Sequence, residues 1–265
     1  MAEILRTLRL YLLLQRASAR GAMQYRLNTV IGVLSGAVWQ GAGFAFIWVV
    51  MHTFPSLAGW GLAEIAFLYG LRLTAHALAM IPMISVNDIH WVIRNGEFDR
   101  FLLRPMNPLV QLMGNRMGIG QFGDLLVGVT LLAVASQNAQ VRWNAWLIAF
   151  CFLAVVGGAL IEAAFFLALC SLSLRMLDTF ALRVFVDDVF SRFGSYPMKI
   201  FGGVTEWLLT FVLPVAFVAY VPASVVLGKL HAPWALAAPL LGGVLIALAY
   251  LIWRRQLDHY QSVGH

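Results

Sequence analysis

The sequence predicts an all-α integral membrane protein with six transmembrane helices and both termini on the inner side. Three observations lead there. Of 265 residues, 61% are hydrophobic and only 11% charged, whereas a soluble domain is nearer half apolar and a quarter charged. The mean hydropathy is +0.82, more apolar surface than one soluble core of this size buries. Apolar runs near the spanning length of about 20 residues recur along the chain, and arginine gathers in alternate loops. A soluble enzyme, a disordered chain and a nucleic-acid-binding domain are therefore excluded. In a soluble protein the net charge of +6 and the isoelectric point near 9.7 would point to nucleic acid. Here no nucleic acid is expected, and the basic residues are placed against membrane lipid.

Residues 1–27 read as an interfacial helix. Arg6, Arg9, Arg16 and Arg20 fall within roughly an 80° arc of a helix, while Leu5, Leu8, Tyr11 and Leu12 project elsewhere. Such a helix lies in the headgroup region; a solvated juxtamembrane helix with no specific role is the plainer reading. The arginines interrupt the apolar stretch that a secretory signal needs. The spans follow at 28–51, at 62–84 (interrupted by Arg72, His76 and Pro82), at 117–135, and at 145–174, which is long enough to tilt or protrude. The last runs over 234–253 and stops at Arg254 and Arg255. Between the second and third lies a polar loop, 85–115, and the whole of 1–265 reads as a single transmembrane domain.

The fifth span has two readings. Hydropathy picks 201–221 and leaves the charged stretch 175–199 inside the cell. The alternative is a span over 174–196 followed by a re-entrant hairpin broken at Pro214 and Pro222. A charge at a helix centre costs about 2.5–3.5 kcal/mol, which opposes the second reading. Arg183 with Asp187 and Asp188 with Arg192 are spaced to neutralise each other in part, and broken helices are tolerated where protein covers them. Either reading leaves both termini inside. That side then collects Arg6, Arg9, Arg16, Arg20, Arg26, Arg94, Arg100, Arg104, Arg116, Arg254 and Arg255, against Arg142 and Lys229 outside.

Catalytic chemistry is sparse. Gly228-Lys229 is followed by Leu230, and Ala223 stands where a phosphate-binding loop needs its first glycine, so the chain holds no recognisable nucleotide site. There is no H-E-x-x-H helix and no G-x-S-x-G elbow. The histidines are scattered, and no cofactor or metal is expected in this chain. Cys151 and Cys170, about 28 Å apart along one helix, cannot bridge. Ionisable residues inside the apolar runs are Arg72, His76, Asp124 and Glu162, with Arg183 and Asp187 in the ambiguous stretch. Such groups are pathway candidates by default; a structural bridge, for instance Arg72 to Glu162, is the competing reading.

The informative stretch is 94–108, Arg-Asn-Gly-Glu-Phe-Asp-Arg-Phe-Leu-Leu-Arg-Pro-Met-Asn-Pro. A glycine turn opens it. A short amphipathic helix is expected next, with Phe98, Phe101 and Leu102 on one side and Glu97, Asp99, Arg100 and Arg104 around the other. Pro105 and Pro108 then re-aim the chain into the third span. A charged, aromatic-bearing lever suits a membrane domain that receives force from a soluble partner, because aromatic anchors often carry such interfaces. An ordinary interfacial helix is the alternative.

This stretch resembles a motif of the form G-E-[LF]-D-x-x-L-L-R-P-x-N-P-L in ABC-2 type transporter permeases. Gly96, Glu97, Asp99, Leu102, Leu103, Arg104, Pro105, Asn107, Pro108 and Leu109 match it, with Phe98 where Leu is commoner. A looser resemblance runs over 192–228. The resemblance implies the membrane-spanning permease of an ABC exporter that works as a dimer, with an identical or related second permease and two copies of a separate ATPase that bind ATP and magnesium. It implies a coupling helix after the second span, a re-entrant segment before the sixth, and a place in the cell (inner) membrane. Gly96, Glu97, Phe98, Asp99, Phe101, Arg104, Pro105 and Asn107 would then couple to the ATPase, braced by Arg6 to Arg20. The chain itself would not be an enzyme. The rival reading from the residues is a stand-alone channel or ion-coupled secondary transporter built on Arg72, His76, Asp124 and Glu162.

Overall fold

The computed structural model describes residues 2–176, 179–230, 236 and 238–262. Among them every regular element is helical; one antiparallel bridge, Leu57 with Trp60, shapes the loop after the first long helix. The amphipathic helix α1 (Ala2–Gln24) meets α2 (Arg26–Thr53) at a break on Tyr25. The freed backbone is satisfied locally: Tyr25 N–H and Thr29 Oγ1 both donate to the Ala22 carbonyl, at 3.1 and 2.8 Å.

Helix α3 (Leu62–Asn87) is the axis of the bundle. The Gly61 N–H at its start donates to the Glu64 carboxylate at 2.8 Å, and Phe67, Leu68, Leu71 and Leu73 are wholly buried along it. It packs on α7 (Gln121–Asn138) and α8 (Ala145–Leu172), and α8 lies along α12 (Ala238–Leu257). Small residues permit these close approaches. A Cβ on Gly70 would lie 2.9 Å from the Gly128 carbonyl of α7, and one on Gly242 would lie 2.7 Å from Leu160 Cβ. Helix α2 touches α7 through Gly36 and Gly123 but leaves Leu34, Val38, Trp39 and Phe46 exposed.

The polar loop divides into α4 (Ile89–Arg94), the single turn α5 (Asp99–Leu102) and α6 (Pro108–Asn115). After α8 come α9 (Phe180–Asp188), a π-helical turn at Val189–Phe193 and a 3₁₀ turn at Met198–Phe201. Helix α10 (Gly203–Trp207) runs on as a π turn to Val212. Past Pro214 a 3₁₀ turn, Val215–Phe217, leads into α11 (Tyr220–Val226), and the two halves of this segment are bent by 73°.

Among the described residues, four helical stretches are long and apolar enough to cross a membrane: Arg26–Thr53, Leu62–Arg94, Ala145–Leu172 and Ala238–Leu257. An all-α membrane protein is what these imply. The expected third span is present as α7 but starts later, because Met117 to Gly120 stay irregular, and its polar ends keep it outside those four. The second and fourth spans end at Asn87 and Leu172 rather than at 84 and 174. Of the expected sixth span, residues 234, 235 and 237 lie outside the described residues, as does Asp178.

The disputed fifth region has clear neighbours. Near its start Phe180 stacks on His90 at 5.5 Å. Phe190 reaches Phe165 in the middle of α8 at 5.5 Å, and Gly194 lies beside Arg72 and Val215. At the far end Tyr220 stacks on Trp60, and Lys229 pairs with Glu64 at 2.9 Å. Chain 180–194 thus runs along the bundle from the level of α4 to that of Arg72 in α3, and the bent segment 203–226 leads to the end where Trp60 and Glu64 sit.

Candidate functional site

Two groups of residues stand out, one at each level of the bundle. The first is the hairpin 94–108. Helix α4 ends because Gly96 takes φ +68, a left-handed conformation that glycine adopts without a Cβ clash, and the N–H groups of Glu97 and Phe98 return to the Val92 carbonyl at 2.9 and 3.2 Å. The expected amphipathic helix shrinks to one turn, since Pro105 disfavours helix at the residue before it. The aromatic side chains also turn out differently from the expectation. Phe98 is fully buried and Phe101 nearly so. They pack edge-on to each other at 6.1 Å, and Phe98 packs on Trp253 and Tyr260 at 6.2 and 5.0 Å. They anchor the hairpin inside the chain instead of meeting a partner. What reaches outward is Glu97, Arg100, Leu102, Leu103, Arg104 and Pro105, with Leu103 86% exposed. Leu103, beside Arg104, is thereby open to contact from outside the chain.

Asp99 is half-buried and turned toward the end of the chain. It accepts hydrogen bonds from Tyr260 Oη at 3.0 Å and Ser262 Oγ at 2.6 Å. Burial, with the Asp99 hydrogen bond and charge, pushes the Tyr260 hydroxyl up to about 12. Asn107 caps α6: its Oδ1 accepts from the Leu109 N–H at 2.9 Å, Pro108 fills the first helical position, and its Nδ2 donates to Tyr250 at 2.8 Å. Gln111 is buried and donates to the carbonyls of Phe101 and Met106, both at 2.9 Å. The hairpin is therefore tied at both ends to α12 and the residues after it.

Helix α1 braces the same region. Gln15 Nε2 donates to the Met113 carbonyl at 2.8 Å, Ser18 Oγ accepts from Met117 N–H at 2.9 Å, and Leu14 packs over Gly114. Arg6, Arg9, Arg16 and Arg20 are all exposed and free to face lipid headgroups or a partner. Arg116 pairs with Asp88 and closes α4 onto the start of the third helix.

The second group lies inside the bundle. His76 Nδ1 meets Glu162 Oε1 at 2.5 Å, joining α3 to α8. The bridge is therefore His76 to Glu162, not Arg72 to Glu162, although Arg72 is buried beside both. The Asp187 carboxylate joins them, with one donor atom each of His76, Glu162 and Asp187 all within 4.8 Å of one another. Since Asp187 turns inward, Arg183 does not pair with it and lies over the Phe180 ring at 5.0 Å. Asp188 and Arg192 do pair, at 3.2 Å. Asp124 sits apart, bonded to Gln40, whose side chain also accepts from Tyr69 at 3.1 Å.

Sequence reasoning missed the C-terminal partners of the hairpin, Tyr250, Trp253, Tyr260 and Ser262. Tyr250 and Trp253 stand three residues apart, on one face of a helix, which was the available signal. That His76, Glu162 and Asp187 meet was not readable either, because they lie on three separate elements.

Neither the curated proteins nor the solved structures matched the chain. A family model described as ABC-2 family transporter protein matches residues 37–264. That span contains the hairpin, the intramembrane cluster and every helix from α3 to α12. The chain belongs to the ABC-2 transporter family and is a membrane permease of an ABC transporter.

Proposed function

We propose that this permease is the transmembrane subunit of an exporter, driven by two copies of a separate ATPase that hold ATP and magnesium. It works as a dimer with an identical or related permease in the inner membrane. The observation that carries the reading is the build of the hairpin: Phe98 and Phe101 lock its base into the bundle while Leu103 and Arg104 stand out at its tip. Force applied at such a tip passes to α12 through Phe98, Asp99 and Asn107 rather than dissipating in a loose loop. The exposed apolar face of α2 offers a surface for lipid or for the second permease.

The reading has six spans with both termini inside. Chain 180–201 is the fifth crossing, and 203–226 is a re-entrant segment opening from outside. Support comes from Asp187, which reaches the mid-helix residues His76 and Glu162, and from Lys229 at the Glu64 end. The test is co-purification with the ATPase. Leu103→Glu and Arg104→Glu alter exposed side chains and leave the core alone, so the permease should fold while the ATPase is lost or its hydrolysis uncoupled. A complex that keeps full coupling in both variants overturns the proposal.

A further inference from the structure

We propose that His76, Glu162 and Asp187 form a binding site for one divalent metal ion of the zinc or cobalt class, between α3, α8 and α9. The donor set is one imidazole and two carboxylates, which suits borderline first-row dications. Two ligands about 2.1 Å from one ion stand at most about 4.2 Å apart. The three donor atoms lie within 4.8 Å of one another, and His76 and Glu162 touch at 2.5 Å. Rotamer-scale movements therefore suffice: His76 and Glu162 part slightly, and Asp187 draws in.

A further observation points to a cation. Glu162 is fully buried and its Oε2 has no hydrogen-bond partner. Such an orphan is uncommon in a native interior, and a metal ion would satisfy it. Arg183, over Phe180 one turn earlier on α9, does not reach the carboxylates. The ion would fasten the fifth crossing to the central helix, so its loss would loosen α9 against α3 and α8.

The proposal goes beyond the exporter reading and is tested on the permease alone, so its failure leaves the ATPase pairing untouched. The full chain is purified in detergent without a polyhistidine tag, stripped with a chelator, and titrated with Co2+. Ligand-field absorption reports the coordination, and dialysis with elemental analysis gives the stoichiometry. We expect one Co2+ per chain, displaced by Zn2+, lost in Glu162→Gln and weakened about tenfold or more in Asp187→Asn, the scale of effect seen even for groups that only support a ligand. His259→Ala, at the exposed C-terminal end, should leave binding unchanged. Asp187 is only half-buried, so its variant decides the matter should Glu162→Gln fail to fold. Absence of ligand-field absorption in the folded wild type, binding that survives Asp187→Asn, or binding that falls with His259→Ala overturns the proposal.

Discussion

The Tyr260 hydroxyl donates to Asp99 Oδ1 at 3.0 Å, joining the tail beyond the last helix to the hairpin after the second. The Tyr260 ring lies 5.0 Å from that of Phe98, and Ser262 bonds the other Asp99 oxygen. This gives the hairpin two attachments, one through the chain to α3 and one across to the segment after α12.

Removing the hydroxyl should open that second attachment. A hydrogen bond to a carboxylate contributes about 1.5 kcal/mol at the low end, roughly tenfold in the population of the released hairpin. In Tyr260→Phe, trypsin cleavage after Arg100 should rise by about that factor, provided reclosing is faster than cleavage. Equal cleavage rates in the two proteins would mean the tail does not hold the hairpin.

The pH response follows from the same residue. The Tyr260 hydroxyl is raised from 10.0 to about 12, so the folded state favours the protonated phenol. A group raised in this way contributes its stabilisation fully below its unfolded value and loses it as pH climbs to the folded one. The clasp should therefore be insensitive to pH through the neutral range and weaken between pH 10 and about 12. Ultraviolet titration of tyrosinate should show a late component that Tyr260→Phe lacks. A difference spectrum with no such component refutes the assignment.

Two residues of the hairpin should behave oppositely. Phe98 is 0% exposed and Leu103 86% exposed. Phe98→Ala empties a packed site and should cost about 3–5 kcal/mol. Leu103→Ala should stay within about 0.5 kcal/mol, as exposed substitutions do. Thermal unfolding in detergent separates them; a large loss for Leu103→Ala with none for Phe98→Ala would invert the inside and outside of this hairpin.

Hydropathy and turn chemistry made much of this legible. The runs that became α2, α3, α8 and α12 are apolar enough to read directly, and Asn107-Pro108 is a helix start written in sequence, a capping side chain followed by a residue that needs no N–H. The facing of Phe98 and Phe101 was not legible. Amphipathic spacing says that two phenylalanines share a side, but not whether that side meets a partner or Trp253 and Tyr260, distant in sequence and near in space. For the same reason Glu162 was matched with Arg72. Arg72 and His76 lie one turn apart on α3, and only the packing of α8 brings His76 to the carboxylate.

The helix crossings offer a control pair. A Cβ on Gly123 would overlap the Val33 carbonyl oxygen and stand 2.6 Å from the Ala37 nitrogen, both backbone atoms, whereas one on Gly41 meets nothing within 4 Å. Gly123→Ala must push α2 away from α7 and should destabilise by about 1–3 kcal/mol, as overpacking does. Gly41→Ala should be neutral or slightly stabilising, since alanine favours helix by up to about 1 kcal/mol. Equal melting temperatures for the two variants would contradict the crossing.

Asn107 performs two tasks that substitution can separate. Its Oδ1 caps α6 through the Leu109 N–H, and its Nδ2 donates to Tyr250. Asn107→Ala removes both and should cost at least the roughly 0.5–2 kcal/mol of a lost cap. Asn107→Asp keeps an acceptor at the helix start, where a negative charge is favoured by the dipole, and the Tyr250 hydroxyl can turn to donate to the new carboxylate. That variant should melt close to wild type. With Tyr250→Phe added, the introduced carboxylate loses this donor but keeps the cap, so stability should fall by about 1.5–3 kcal/mol, the range for a hydrogen bond to a charged group. If Asn107→Asp is as destabilised as Asn107→Ala, an acceptor at this helix start contributes little and the cap assignment fails.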